Sequence, residues 1–215
     1  AEVKIYPATT PIEDLLRDEF RHDLYAALDR TLAEKRIPYL PGSVELGDYD
    51  VNATAIGINI AGEEGNLPAG PLQRTFDDYW GTVQQRRNGQ LAWTTDTPYE
   101  VRSVEAFVRL GQRERAHGLL DFLMTGQRPP AWHHWAEIVW RDPAAPQFIG
   151  DMPHTWIGAE FIRAVRSFYL FERERDQALV LAAGIPEDWL RTGVENGVQE
   201  LPTEYGKLTY GLRLT

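Results

Sequence analysis

The chain has 215 residues, 43% hydrophobic and 25% charged, the balance of a folded water-soluble domain rather than of a disordered tract. Its formal net charge of −10, from 32 acidic and 22 basic residues, repels a phosphate backbone. The short basic pair Arg86-Arg87 does not offset that, so nucleic acid is excluded as a partner. Cysteine is absent, which removes disulfides, thiolate catalysis and Cys-ligated zinc, and no apolar run approaches the length of a membrane span.

The opening stretch AEVKIYPATTP lacks the charged-then-apolar layout of a signal peptide, and a leader already removed would leave the same sequence. Secreted and cytoplasmic locations are both compatible. Residues 12 to 36 then read as a long amphipathic helix: Ile12, Leu15, Leu16, Phe20, Leu24, Leu28 and Leu32 recur at steps of three and four, behind a Thr10-Pro11 start. RIPYLPG ends it. VELGDYDVNATAIGINI is an acidic loop leading into a short apolar element with Asp50 placed to cap it, and AGEEGNLPAGP is a surface loop. A second long helix is predicted from Leu72 to Arg87. A third starts near Pro98 and stops at Leu110-Gly111, and a fourth runs from Arg113 to Leu123 after a tight turn, making an antiparallel hairpin.

Residues 130 to 154 read as a long proline-rich loop, followed by a fifth long helix from Thr155 to Arg173. ALVLAAGIP and LTYGLRLT have the short apolar or alternating runs of strands, with PEDWL as a single helical turn between them. The expectation is a mainly α body over 1–176 and a small β element over 177–215. Long loops in a helical body are uncommon unless they have a task. Helices packed as hairpins would gather these loops at one end as a cup lined with aromatics and carboxylates. Seven Trp, nine Tyr and eight Phe suit a carbohydrate ligand, whose apolar ring faces stack on aromatics, although aromatics mostly serve cores.

Four tryptophans and three histidines fall between residues 130 and 156. Within that stretch Glu137 lies between Trp135 and Trp140. Desolvation by indoles would raise its pKa and fit it to accept a proton near neutral pH, while an exposed Glu beside core tryptophans is the plain alternative. Asp151 and His154, in GDMPHTW, either brace a helix entry or serve a site. His154, His133 and His134 lack the spacing of a metal site, so neither metal nor cofactor is expected. Asp48 and Asp50 flank Tyr49 and can bind sugar hydroxyls, Asp50 being equally suited to a simple cap. NAT at 52 to 54 matches the glycosylation acceptor pattern only weakly. WTTDTPYEVR places Trp93, Tyr99 and Glu100 at a loop–helix junction, where Glu100 is either a second site carboxylate, a dipole-favoured first-turn residue, or a partner of Arg102.

WAEIVWRDPAAPQFIGDMPHTWIGAEFIRAV resembles the last helical hairpin of the six-hairpin (α/α)6 toroid glycosidases, the glucoamylase-like and rhamnosidase-like hydrolases. YDVNATAIGI with LQRTFDDYW, and TPYEVRSVEAFVRLGQRERAHGLLDFL, resemble the two preceding hairpins, and VQELPTEYGKLTYGLRL is similar to the strands that follow the toroid in many rhamnosidase-like enzymes. The resemblance implies that Glu137 holds the general-base position of inverting glycoside hydrolysis. Asp48, Asp50, Trp93, Tyr99, Glu100, Trp132, Trp135, Asp151 and His154 would then bind an oligosaccharide or polysaccharide. The toroid needs twelve helices and about half are present, and no segment matches the general-acid motif. The chain therefore reads as the C-terminal half of an incomplete toroid, expected to associate with an N-terminal half or a second copy. A non-catalytic carbohydrate-binding or scaffold module, or a lyase or phosphorylase on a related toroid, is the alternative.

Overall fold

The computed structural model describes residues 2–4, 11–92, 95–96, 98–127, 130–140, 142, 148–149 and 152–214. Among these, six α-helices carry the body: α1 (Pro11–Lys35), α2 (Val51–Asn59), α3 (Ala69–Arg87), α4 (Arg102–Arg109), α5 (Arg113–Met124) and α6 (Thr155–Tyr169). Eight short strands accompany them: β1 (Glu2–Lys4), β2 (Thr95–Asp96), β3 (Ile138–Trp140), β4 (Phe148–Ile149), β5 (Leu170–Arg173), β6 (Ala178–Leu181), β7 (Asn196–Thr203) and β8 (Gly206–Leu212). The molecule is mainly α with small strand elements.

The helices pack in two layers. α4 lies between α2 and α6, while α5 packs on α4 and α3 on both α2 and α5. α4 shows why it takes the central place: Ser103, Val104, Glu105, Ala106, Phe107 and Val108 are all buried, so it is covered on every side. Phe107 is its hub, with Phe76, Tyr79 and Trp80 at ring-centroid distances of 5.6, 6.1 and 5.9 Å. The α4–α5 hairpin turns at Gly111, whose φ of +72° lies in the left-handed region that glycine adopts without strain.

Contacts at both ends give the direction of the central layer. Asn59, the last residue of α2, accepts through its carbonyl from Arg109, the last residue of α4, and Arg109 also donates to the carbonyl of Glu172 just beyond α6. At the opposite ends, Tyr99 before α4 meets His154 before α6. The three helices α2, α4 and α6 therefore run the same way, with their N-termini together.

Three elements differ from the sequence expectation. The fifth long helix ends at Tyr169 rather than Arg173, because Leu170 turns to extended geometry and its segment pairs with β6, burying Leu170 and Phe171. The division expected at 176/177 falls in the turn of this hairpin, and β6 pairs with β1 on its other side, giving the order β1-β6-β5. The stretch between α5 and α6 carries a 3-10 turn, Pro130–Trp132, and two strands, with β3 central in a β2-β3-β4 sheet that ties it to the loop before α4. Lastly, the apolar stripe of α1 is covered only in its second half. Leu28 is buried, whereas Leu15, Leu16 and Phe20 are 66%, 61% and 69% exposed.

The β7–β8 hairpin is latched to the helices. Tyr210 Oη donates to Tyr169 O at 2.6 Å and Arg166 Nη2 to Pro202 O at 3.0 Å. Close packing at Gly184 is also exacting, since a Cβ there would sit 2.5 Å from the Phe168 ring.

Candidate functional site

The N-terminal ends of α2, α4 and α6 bring most of the predicted site residues to one end of the central layer, and each is held by local chemistry. Before α2, Pro41 and Tyr49 pair as an isolated bridge and Asp48 closes the loop, its Oδ1 accepting from Ser43 N–H at 3.0 Å. Asp50 is the N-cap of α2: its Oδ1 accepts from the N–H groups of Asn52 (2.8 Å) and Ala53 (3.3 Å). Between them, Tyr49 donates to Thr75 O at 2.8 Å. Burial, together with the carboxylates of Asp78, Glu100 and Asp50, pushes its phenol well above the ordinary value.

Glu100 lies just before α4 and is buried. Tyr79 Oη donates to it at 2.7 Å and Arg86 Nη1 reaches both its oxygens at 3.0 and 2.9 Å. The pairing of Glu100 with Arg102 anticipated from their spacing does not form, because Arg102 turns instead to Glu160 on α6 at 2.8 Å. Burial and the neighbouring Glu100 carboxylate push the Tyr79 phenol up, so it stays a donor. Glu100 thus braces the α3–α4 junction.

The meeting of the α4 and α6 entries forms the polar and aromatic centre of this end. Tyr99 Oη lies 3.0 Å from Nε2 of His154, the N-cap residue of α6. The Arg102 guanidinium sits over the Tyr99 ring at 4.7 Å, and Trp156 meets Tyr99 edge-on at 6.1 Å and 87°. Arg102 and Glu160 are largely buried, so their pair fixes the base of the cluster and joins the two helices.

Glu137 is half-buried, on a segment pinned from both sides. Two residues earlier Trp135 is only 2% exposed, its indole N–H donating to Leu123 O at 3.2 Å and its ring 5.6 Å from that of Phe161. Immediately after Glu137 comes β3, which pairs Ile138 with Ile149 and Val139 with both Phe148 and Asp96. Trp135 is therefore an anchor under the loop, with no face open to a ligand. Trp132, by contrast, is 58% exposed. Trp93 and Asp151 lie outside the described residues.

The structure adds Trp156 and Glu160 to the residues singled out from the sequence, and gives Arg102, named there beside Glu100, a partner on α6. Their spacing held the signal: Tyr99 and Arg102 are three apart and Trp156 and Glu160 four apart, the separations that share a helix face. Among the described residues no group of three or more His, Asp or Glu is arranged to hold a metal ion, and no helix is long and apolar enough to cross a membrane. The arrangement suits recognition of a polyhydroxylated ligand, with rings for its apolar faces and fixed polar groups beside them. No family model, no curated protein and no solved structure matches the chain.

Proposed function

We propose that the chain is the C-terminal part of a carbohydrate-active (α/α)6 toroid, contributing to an inverting glycoside hydrolase with Glu137 as general base. The observation that carries this reading is the alternation of layers. Successive helices alternate between a central layer (α2, α4, α6) and an outer one (α3, α5), and the central helices run in one direction. The loops at their N-termini hold Asp48, Asp50, Tyr99, His154 and Glu137. Glu137 would take a proton from a water opposite the leaving group, and the leaving-group acid would come from outside this chain. The apolar residues Leu15, Leu16, Phe20, Ile56, Ile60 and Ile162 stand exposed, a surface that an N-terminal half of the toroid or a second copy would cover.

One observation favours a second reading, a non-catalytic binding or scaffold module. Apart from Glu137, the described carboxylates at this end are engaged in structure: Asp48 and Asp50 bind backbone N–H groups and Glu100 binds Tyr79 and Arg86. Calorimetry against an oligosaccharide panel, run beside a hydrolysis assay on the intact native assembly, separates the two. Turnover of a bound sugar supports the hydrolase, binding without turnover supports the module, and neither binding nor turnover contradicts both.

A further inference from the structure

Between α1 and α2 lies a half-open cavity of about 390 Å³ that the fold does not fill. Its origin is in α2. Ala53 and Gly57, one turn apart, line this space with no side chain larger than a methyl group, while Leu24 and Leu28 of α1, Leu40 and Leu67 make up the rest of its apolar wall. Gly57 is helical, and a Cβ built on it would meet nothing within 4 Å. Glycine inside a helix is less favourable than alanine, and the usual reason to keep it is the close approach of another segment. Among the described residues nothing makes that approach, so the space stays open although alanine would suit the helix better.

The polar groups of the wall are already engaged. Thr54 Oγ1 donates to Asp50 O at 3.2 Å, Val44 O accepts from Thr31 Oγ1 at 2.9 Å, and Ser43 Oγ donates to Glu45 at 2.9 Å. A buried water is held by about two to four polar partners, and this wall has few to offer. A sugar, whose hydroxyls each need a partner, fits as poorly. Among the described residues of the lining Glu45 alone is ionisable, and it is exposed, so its charge stands at the rim. The geometry points to a ligand site that takes an uncharged apolar small molecule, a hydrocarbon ring or a short alkyl chain. The volume falls within the roughly 300–1,000 Å³ of small-molecule pockets. An anionic ligand is disfavoured by Glu45 and by the net charge of −10. This site goes beyond the carbohydrate reading and does not depend on it.

The test is saturation-transfer NMR with thermal melting on the full chain in its native assembly, using toluene and n-octanol as probes and octanoate as the charged comparison. Toluene or octanol binds and raises the melting temperature, and octanoate binds more weakly. Gly57→Leu fills the space and removes the binding, with the melting temperature unchanged or raised, whereas Gly57→Ala raises the melting temperature and keeps the binding. Binding of neither probe overturns the proposal. Undiminished binding in Gly57→Leu does so too, because it places the probe elsewhere, and a preference for octanoate overturns the choice of an uncharged ligand. If Gly57→Leu does not fold, Ala53→Leu is read in the same way. Failure of both to fold shows that the space is not free and overturns the proposal as well. Each of these outcomes leaves the carbohydrate reading where it stands.

Discussion

The two ends of the central helical layer are built from similar residues and used differently. At the C-terminal end, arginines and glutamates are buried against one another. Arg109 Nε donates to Glu105 at 3.0 Å, and Arg163 Nη2 reaches Glu105 at 3.3 Å and Asn59 O at 2.9 Å. The last carbonyls of α2 have no partner within their own helix, and cationic side chains are favoured at that end of the dipole. The network therefore fixes the spacing of the three helices. At the N-terminal end buried pairs also join helices, Arg86 with Glu100 and Arg102 with Glu160, but Asp48 and Asp50 brace single loops and the rings of Trp132 and Trp156 are exposed. The two ends thus differ in their aromatic residues more than in their ion pairs: exposed tryptophans stand at the N-terminal end.

That division can be broken first at Arg109. Replacing it with Ala leaves Glu64 buried without its cation and Glu105 with Arg163 alone, and unfolding by denaturant should show a loss of about 3–5 kcal/mol. A loss below about 1 kcal/mol would mean that the C-terminal end is not the clamp described here. Tyr79→Phe removes one bond from the buried Glu100, with an expected cost of about 1–3 kcal/mol in the same measurement. Asp50→Ala removes only a helix cap and should cost about 1 kcal/mol.

Acid should loosen the C-terminal end and the α1 contact. Burial alone would raise Glu63, but bonds from Tyr25, Asn66 and Arg21 outweigh it and hold the carboxyl below its ordinary value. Glu172 is lowered in the same way, burial being outweighed by Arg166. A carboxyl depressed in the folded state contributes stability above its unfolded pKa and loses it as pH falls through the folded value. Glu105 acts oppositely: burial raises it despite Arg109 and Arg163, so the folded state takes up its proton more readily. The melting temperature should fall as pH drops below the ordinary glutamate value of 4.5, and Glu63→Gln should flatten that fall. An unchanged slope in the variant would assign the acid sensitivity elsewhere.

The helices were legible in the sequence because each has a periodic apolar face, and the Asp50 cap because its side chain acts within two or three residues. The β2-β3-β4 sheet was not, since strands of two or three residues are too short for alternation to register. Leu170 and Phe171 continue the apolar pattern of α6 and leave it only because β6 lies within reach, a long-range pairing that local pattern does not encode. Trp135 and Trp156 have the same chemistry, and packing alone makes one an anchor and the other a surface. Which glutamate each arginine meets is likewise decided by the tertiary fold: Arg102 and Glu160 are 58 residues apart.

The measurement that bears most directly on the two-ended account is turnover by Glu137→Gln in the complete native assembly, read beside its melting temperature. A general base on a segment anchored independently by Trp135 and β3 should cost turnover about 100-fold or more when neutralised, with the melting temperature unchanged. Near-normal turnover, or a loss of activity that follows a loss of stability, would contradict the assignment of Glu137 to the chemistry of this end.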